Sequence, residues 1–381
     1  MNASLNEKLQ NVQWGEYRIG DLFEIKPTKA YKLTNNNLFE KNGLYPVVTN
    51  SSTNNGVTGY TNLLPTEKGN MITYSDTTTS DGIFYQPIDF VGYSHIQGLY
   101  PLVFKEKWNY KTLIYIVNCF RKVAAGRFDY GNKFNRNIAK GMFIQLPTKD
   151  GKIDFEFMES FISELEEERI SELSAYLTVS GLDNYELSSE EKEALENLNT
   201  VQWEEKNVTD QNGIFNVKNT KNILSTDITP NSGTTPYLCA SAENNSISTY
   251  IDYKEELKDK GNCIFIGGKT FVVSYQKVDF FSNDSHNLAL YLKNENKADK
   301  TNQLFMATCV KKGLSHKYSW GNSISNKKIQ KDKIMLPTKN NEIDFSYMEL
   351  LISAVQKLVI KDVVLWKDKK IEATKQVVGR N

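Results

Sequence analysis

Two polar, glycine-bounded segments, residues 126–137 and 313–328, carry side chains whose chemistry suits contact with DNA. In both segments arginine or lysine alternates with asparagine and with aromatic residues. Arginine and lysine can pair with phosphates or guanine, and asparagine can pair with adenine. The candidate contacts in the first segment are Arg127, Tyr130, Asn132, Lys133, Asn135 and Arg136. Those in the second are Lys317, Tyr318, Trp320, Asn322, Lys327 and Lys328.

Lys269, in the run Gly-Gly-Lys-Thr, is a further candidate contact. The run is not a phosphate-binding P-loop, because the spacing Gly-x-x-x-x-Gly-Lys is missing. The alternative for all of these side chains is an ordinary solvated loop.

Residue patterns for catalysis are weak. His95 and His286 occupy corresponding places 191 residues apart. We expect structural histidines beside a strand, and a duplicated catalytic dyad is the alternative. The Asn/Asp-Pro-Pro-Tyr/Phe motif of amino-methyltransferases is absent. Glu24 and Lys26 form a Glu-x-Lys pair, but the metal-binding acid of a nuclease is missing upstream. The acidic run 164–168 suits a solvated helix face or a docking surface better than a metal site.

An internal duplication organises the chain. Residues 144–162 match residues 334–352 at 11 of 19 positions, an offset of 190. Val12-Gln13-Trp14 returns as Val201-Gln202-Trp203 at nearly the same offset. This period is too long for a solenoid unit, so a whole domain with its trailing helix is duplicated. The segments between these anchors differ between the copies, as two readers of different targets would, and as neutral drift would also produce.

Each copy is predicted to combine short strands with one internal helix. Apolar or β-branched runs bounded by Gly, Asn or Pro indicate strands. The helices are expected at 112–124 and 301–313. Strands are expected at 44–49, 70–74, 82–85, 99–104, 141–146, 235–240, 262–266, 271–275, 288–292 and 333–336.

A long helix follows each Leu-Pro-Thr-Lys run, where apolar residues recur at spacings of three and four. Asp154 and Asp344 stand where an N-cap belongs. Each apolar stripe covers about 25 residues, or roughly 38 Å. Such a helix needs a partner, and the other copy supplies one. We therefore predict an α+β fold with two duplicated domains joined by two long helices packed as an antiparallel coiled coil. The alternative is that each helix packs on its own module.

Charge is distributed unevenly, although its formal total is zero. Residues 151–200 hold 14 acidic against 3 basic residues. Residues 1–150 hold 17 basic against 12 acidic, and residues 201–343 hold 19 against 15. Two mildly basic modules separated by an acidic helical segment are compatible with nucleic-acid binding, which the total conceals.

The composition predicts a cytoplasmic protein that does not cross a membrane. The N-terminus lacks a basic stretch followed by an apolar core, and no apolar run approaches the ~20 residues that span a bilayer. The four cysteines form no Cys-x-x-Cys pair, which fits reduced thiols and argues against zinc.

The chain resembles the specificity subunits of type I restriction–modification systems and the related type IIB, BcgI-like specificity subunits. The resemblance is carried by the Trp-x-x-Tyr-Arg-Ile-Gly-Asp-Leu-Phe-Glu-Ile run at 14–25, by Gly131 and Gly321, and by the Ile-x-Leu-Pro closures, and it covers essentially the whole chain. One departure is that Leu-Pro-Thr-Lys replaces the Pro-rich, Gln-containing helix start common in type I subunits. Whether the system is type I or type IIB-like stays open.

The resemblance implies two target recognition domains, 1–152 and 201–342, each reading one half of a bipartite site in double-stranded DNA. Segments 153–200 and 343–381 would be spacer helices that also dock two methyltransferase subunits, with a restriction subunit as an open further partner. The subunit itself would be non-catalytic and hold no metal. S-adenosylmethionine, Mg²⁺ and, where the system translocates DNA, ATP would bind to the partners. The alternatives are an enzyme acting on nucleic acid and a non-catalytic scaffold.

Overall fold

The structure, a computed structural model, describes residues 3–77, 80–128 and 131–378, with side chains described as far as residue 373. It divides into two compact units, Met1–Ala175 and Tyr176–Asn381. Among the described residues, no helix has the length and apolar character needed to cross a membrane.

The first unit contains six α-helices and nine strands among its described residues. Its helices are α1 Ala3–Asn11, α2 Ile19–Leu22, α3 Asn35–Leu38, α4 Tyr110–Ala124, α5 Arg136–Gly141 and α6 Phe155–Val179, the last of which extends into the second unit. Its strands are β1 Gln13–Arg18, β2 Phe23–Pro27, β3 Tyr45–Val48, β4 Val57–Thr61, β5 Met71–Ser75, β6 Ile83–Gln86, β7 Ile96–Pro101, β8 Phe143–Lys149 and β9 Lys152–Ile153.

The second unit has a similar order, but in its described residues it lacks counterparts of α2 and α3 and has an additional strand, β16. Its helices are α7 Ser189–Glu196, α8 Lys300–Leu314, α9 Asn326–Ile329 and α10 Phe345–Val378. Its strands are β10 Gln202–Asn207, β11 Phe215–Asn219, β12 Thr235–Leu238, β13 Ile247–Ile251, β14 Cys263–Ile266, β15 Val273–Gln276, β16 Phe281–Ser282, β17 Leu288–Leu292, β18 Lys333–Lys339 and β19 Glu342–Ile343.

Strand topology is the same in the two units. The central antiparallel sheet has the order β2-β7-β5-β6 in the first unit and β11-β17-β14-β15 in the second. A smaller sheet pairs β3 with β4, and its counterpart pairs β12 with β13 and β16. The predicted internal helices are confirmed as α4 and α8, and Asn109 and Asp299 cap them by accepting from backbone N–H groups of their first turns.

The repeated sequence anchors are partners across a strand pair. β1 pairs with β8 so that Trp14 faces Pro147, and β10 pairs with β18 so that Trp203 faces Pro337. Each Leu-Pro-Thr-Lys run therefore closes a domain against its own first strand. This pairing explains why the two ends of the repeat are its most similar parts.

Long helices leave both closures as expected. Asp154 Oδ1 accepts from the Phe157 N–H at 2.9 Å, and Asp344 Oδ1 accepts from the Tyr347 N–H at 3.0 Å, which confirms both N-caps. Helix α6 has 25 residues, whereas α10 has 34 and is longer than predicted. The first turns of α6 pack into the first unit's core through Met158. In the second unit, α10 packs against α7 and α8.

One predicted strand is displaced. The strand expected at 99–104 is β7, which begins and ends three residues earlier. Phe104 has a φ of 53°, in the left-handed region that a strand cannot accommodate, so the chain turns before it.

Candidate nucleic-acid interface

Three loops of the first unit meet at one end of its central sheet. Ser75 Oγ donates to Asn50 Oδ1 at 2.8 Å, and Asn50 Nδ2 donates to the carbonyl oxygen of Ser94 at 3.1 Å. The Asp76 N–H donates to the carbonyl oxygen of His95 at 3.0 Å. The β3–β4 loop, the segment after β5 and the turn before β7 are thereby joined into one polar surface.

A carboxylate holds His95 within this surface. His95 Nδ1 lies 3.1 Å from Asp76 Oδ1, and Asp76 Oδ2 accepts from Gln97 Nε2 at 2.7 Å. The residue has a φ of 67°, a conformation that non-glycine residues adopt at an energetic cost. The side chain lies next to β7, as expected, but it is 59% exposed rather than packed. The carboxylate fixes the ring, and in the described part of the chain no hydrogen bond engages Nε2.

Behind His95 lies a polar pair of residues on adjacent strands. Tyr74 on β5 faces Gln97 on β7, and both side chains are almost fully buried. Within the described part of the chain, the Tyr74 hydroxyl and Gln97 Oε1 have no hydrogen-bond partner. The corresponding pair in the second unit is Ile266 and Leu288, which is apolar. A buried unsatisfied polar atom costs roughly 1–3 kcal/mol, so this polar pair lowers the stability of the first unit.

The first predicted contact segment is anchored by an aromatic cluster. Phe134 is fully buried, stacks on Phe128 with ring centroids 4.2 Å apart, and lies 4.7 Å from the Tyr74 ring. Asn135 caps α5 by accepting from the Ile138 N–H at 3.0 Å. The segment is therefore a loop pinned to the end of β5, close to the polar surface that carries His95.

The candidate contacts of this segment are distributed over its exposed side. Arg127, Lys133 and Arg136 are exposed. Asn132 Nδ2 donates to the Arg127 carbonyl oxygen at 2.8 Å, so at least part of its hydrogen-bonding capacity stabilises the loop. Tyr130 lies outside the described residues.

The second unit builds a comparable surface around Asp284. Asp284 Oδ1 lies 2.7 Å from His286 Nδ1, and Oδ2 lies 2.8 Å from Lys269 Nζ. The His286 and Lys269 side chains are 70% and 55% exposed. Burial acts to raise the pKa of Asp284, but hydrogen bonds from Lys269 and from the backbone and ring of His286 lower it to about 2.

Loops that are distant in sequence converge on this carboxylate. The Ile324 N–H donates to the Gly268 carbonyl oxygen at 3.1 Å. Asn326 Nδ2 donates to Asn219 Oδ1 at 3.3 Å, and Asn219 Nδ2 donates to the Ser285 carbonyl oxygen at 2.8 Å. The structure thus brings Lys269 together with the segment 313–328, two candidates that were separate in the sequence.

Tyr318 is a correction to the predicted contact set. Its side chain is buried, its ring lies 5.4 Å from that of Phe271, and its hydroxyl donates to Asp332 Oδ2 at 2.5 Å. Burial and this hydrogen bond raise the pKa of the Tyr318 hydroxyl. Lys317 Nζ lies 3.0 Å from the other oxygen of Asp332. Tyr318 therefore supports the loop from within and is not available to a ligand.

The remaining candidates of the second unit lie on the surface. Trp320 is 79% exposed, and Lys327 is exposed on α9. Lys328 Nζ donates to Asn322 Oδ1 at 2.9 Å, and Asn322 Nδ2 donates to the Lys317 carbonyl oxygen at 2.6 Å. Lys328 and Asn322 therefore shape the loop as well as occupying its exposed face.

Sequence reasoning missed the groups that orient the histidines. Asp76 lies 19 residues from His95 and is brought close to it by the fold, whereas Asp284 lies two residues before His286. The signal that was present is the recurrence of Ser-His at an offset of 191, at His95 and His286. This recurrence indicated that the two histidines occupy the same position in each copy, but not that their side chains are exposed.

The acidic face of α6 is engaged with neighbouring helices of the first unit. Glu164 pairs with Lys8 on α1, and Glu166 Oε2 accepts from the Tyr110 hydroxyl at 2.8 Å. In the described ranges, no group of three or more His, Cys, Asp or Glu side chains is arranged to hold a metal ion.

This duplicated α+β domain, with a polar loop surface in each copy and a long helix after each closure, has the organisation of a two-domain DNA specificity protein. The family model of the type I restriction modification DNA specificity domain matches twice, over residues 11–175 and 201–363. The chain therefore belongs to this family and carries two such domains.

Two known proteins are similar to this chain, one in sequence and one in fold. The specificity subunit of the type II restriction enzyme BcgI from Heyndrickxia coagulans is 27% identical over 162 residues, which is 42% of this chain and 45% of that protein. The match thus spans less than half of the relative's length. The S subunit of the type I restriction–modification system from M. genitalium superposes with a TM-score of 0.57 at 14% identity, covering 96% of this chain and 94% of that one. The second likeness shows a shared fold.

Proposed function

We propose that this chain is the DNA-recognition subunit of a restriction–modification complex, with each unit reading one half of a bipartite site in double-stranded DNA. The observation that carries the proposal is one scaffold built twice, with the same strand order and closures but with different side chains in the loops at the same end. Shared scaffolds with divergent loops are the expected design for two readers of different sequences.

The exposed basic groups support DNA as the ligand. Arg127, Lys133 and Arg136 in the first unit, and Lys269 and Lys327 in the second, can pair with phosphates or guanine. Trp320 of the second unit adds an exposed aromatic side chain.

In this proposal the long helices set the distance between half-sites by packing as an antiparallel pair. Helix α6 spans roughly 38 Å at 1.5 Å per residue, close to the ~34–36 Å of one turn of B-DNA. Two domains held at that distance would meet the same face of the duplex.

Partner subunits supply the chemistry in this proposal. Helix α10 exposes the apolar side chains Leu358, Val359, Leu365 and Trp366, a surface suited to a helix of a methyltransferase subunit. Two such subunits would bind, and a restriction subunit is a further partner. S-adenosylmethionine, Mg²⁺ and, in a translocating system, ATP would be held by those partners, and this chain would carry out no chemistry itself.

The test is to co-express the chain with its methyltransferase subunit and to map methylated positions in the host DNA. We expect a bipartite motif with a fixed gap. A continuous palindrome, or no motif, would contradict the proposal. A scaffold would also show no salt-sensitive affinity for DNA, whereas a reader loses affinity steeply as salt rises.

The spacer role has its own test. Inserting seven residues into α6 after Arg169 should lengthen the gap and leave both half-site sequences unchanged. An insertion that changes a half-site, with the gap preserved, would show that the helix is not the spacer. The same seven residues inserted in the exposed loop after Gly181 provide the matched control.

A further inference from the structure

His95 in the first unit and His286 in the second are held through the same ring atom, Nδ1, by carboxylates at different positions in the repeat. In the first unit Asp76 follows β5, and in the second Asp284 lies two residues before His286. At the place of Ser75-Asp76 the second unit has Gly267-Gly268, so the two carboxylates are not copies of one ancestral residue. Both nevertheless lie on Nδ1, and among the described residues Nε2 of neither ring has a hydrogen-bond partner.

The two units thus fix the same ring atom with different carboxylates. The ring does not contribute to a core, since both side chains are more than half exposed. Both carboxylates have their second oxygen occupied, by Gln97 Nε2 in the first unit and by Lys269 Nζ in the second. The carboxylates are therefore suited to positioning, and Nε2 is suited to an external contact.

We propose that His95 and His286 contact DNA through Nε2, each within the half-site of its own unit, and that Asp76 and Asp284 are positioning residues. The inference rests on the proposed function and names residues outside the predicted contact set. The ligand is a hydrogen-bonding group of the duplex, at a base edge or on a phosphate.

The two units differ in the charge that accompanies the histidine. Asp284 holds the Lys269 ammonium as well as the ring, whereas the second oxygen of Asp76 is taken by the neutral amide of Gln97. The contact in the second unit therefore brings one additional cation to the DNA. Because each neutralised phosphate releases counterions, Lys269→Met should reduce the salt dependence of binding, whereas His286→Ala leaves this cation in place.

The experiment compares His95→Ala and His286→Ala in the complex with the methyltransferase subunit. Binding is measured to duplexes carrying both half-sites, or one intact and one scrambled half-site. We expect each variant to bind about tenfold more weakly, with the loss confined to the half-site of its own unit. The other half-site is the internal control for folding.

Two further measurements distinguish a contact with a base from a contact with a phosphate. A base contact changes the preferred base at one position of the half-site. A phosphate contact lowers affinity equally for every half-site sequence and leaves the preferred bases unchanged. If both variants bind with wild-type affinity and motif, the inference is wrong.

The positioning role is tested by Asp284→Asn, alone and with His286→Ala, in a Lys269→Met background that removes the second group held by the carboxylate. If Asp284 acts through the ring, Asp284→Asn weakens binding when His286 is present and adds nothing when it is absent. An equal loss in both cases would overturn this role.

Failure of this inference is distinguishable from failure of the proposed function. A wild-type complex without salt-sensitive, bipartite recognition would contradict the function itself. A wild-type complex that recognises a bipartite site, with both histidine variants unaffected, would contradict the histidine contacts alone.

Discussion

The first unit supports the loop before α5 by aromatic packing, whereas the second supports the loop before α9 by contacts of Tyr318 and Lys317 with the carboxyl group of Asp332. Phe128 stacks on Phe134 in the first unit. Tyr318, at the position of Phe128, donates instead to Asp332, which stands where the first unit has Met142. Both Phe128 and Tyr318 are equally buried.

The two units also differ at a pair of residues on adjacent strands of the central sheet, but there the first unit is the more polar one. The pair Tyr74 and Gln97 makes the first unit polar where Ile266 and Leu288 make the second apolar. Duplication has therefore kept backbone register while the side chains that support each loop have been replaced. Strand register depends on which face of the sheet is buried and on turn geometry, which many side chains satisfy, whereas loop support depends on particular side-chain pairs.

The largest effect should come from removing the aromatic anchor of the first unit. Phe134→Ala deletes a fully buried ring and should lower the free energy of unfolding of that unit by about 3–5 kcal/mol. Hydrogen exchange resolved by peptide should show the loss in residues 71–75 and 131–141 and leave the second unit protected. Ile324→Ala, at the corresponding position, is the matched control and should affect the second unit alone. Wild-type protection in Phe134→Ala would show that aromatic packing does not support the loop.

The second effect tests the hydrogen bond that replaces this packing. Tyr318→Phe removes the donor to Asp332 and should destabilise the second unit by about 1.5–3 kcal/mol, the usual range for a hydrogen bond to a charged group. The double variant Tyr318→Phe with Asp332→Met recreates the first unit's pair and should recover much of the loss. Urea denaturation monitored by peptide-resolved hydrogen exchange measures the stability of the second unit in the single and in the double variant. A double variant less stable than the single one would mean that the two solutions are not interchangeable.

A tyrosine-to-phenylalanine substitution in the first unit should change stability in the opposite direction. Tyr74→Phe removes a buried hydroxyl that lacks a partner in the described structure, so it should leave stability unchanged or raise it by up to about 1 kcal/mol. Burial raises the pKa of this hydroxyl, which keeps it neutral. A shift of the urea midpoint to higher concentration, with an unchanged slope, is the expected result. A clear destabilisation would indicate that the hydroxyl has a role that its environment does not disclose.

The fourth effect concerns the dependence of stability on acid. The pKa of Asp284 is lowered to about 2, below the ~3.9 of an unfolded aspartate, so its ionised form favours the folded state. This contribution is fully present above pH 4 and is lost as the pH falls through about 2. Asp284→Asn should therefore flatten the acid dependence of the second unit's stability between pH 4 and 2. An unchanged dependence would mean that the Lys269 and His286 contacts do not stabilise the folded carboxylate.

Much of the scaffold could be predicted from the sequence. The N-caps Asp154 and Asp344, the helices α4 and α8, and the closures at Pro147 and Pro337 follow patterns within a few residues, and the structure confirms them. The repeat multiplied this information, since each weak motif occurs twice. The candidate contact segments were also found, although whether their residues touch DNA stays a prediction.

The supports of the loops could not be predicted. Tyr318 was interpreted as a contact because aromatic and basic residues alternate around it, and its burial depends on Phe271 and Asp332, 47 residues before it and 14 after it. The carboxylate that holds His95 lies 19 residues away, whereas the one that holds His286 lies two residues away. No shared spacing relates the two.

The sequence by itself determined that the chain is one domain built twice, where each copy closes, and where each long helix begins, because these features depend on local periodicity, capping and repetition. Tertiary structure alone decided which candidate side chains are exposed, which are used as internal support, and which carboxylate orients each histidine. The physical reason is that burial and side-chain hydrogen bonds join residues from different loops, whose approach is set by strand pairing and packing and not by their separation along the chain.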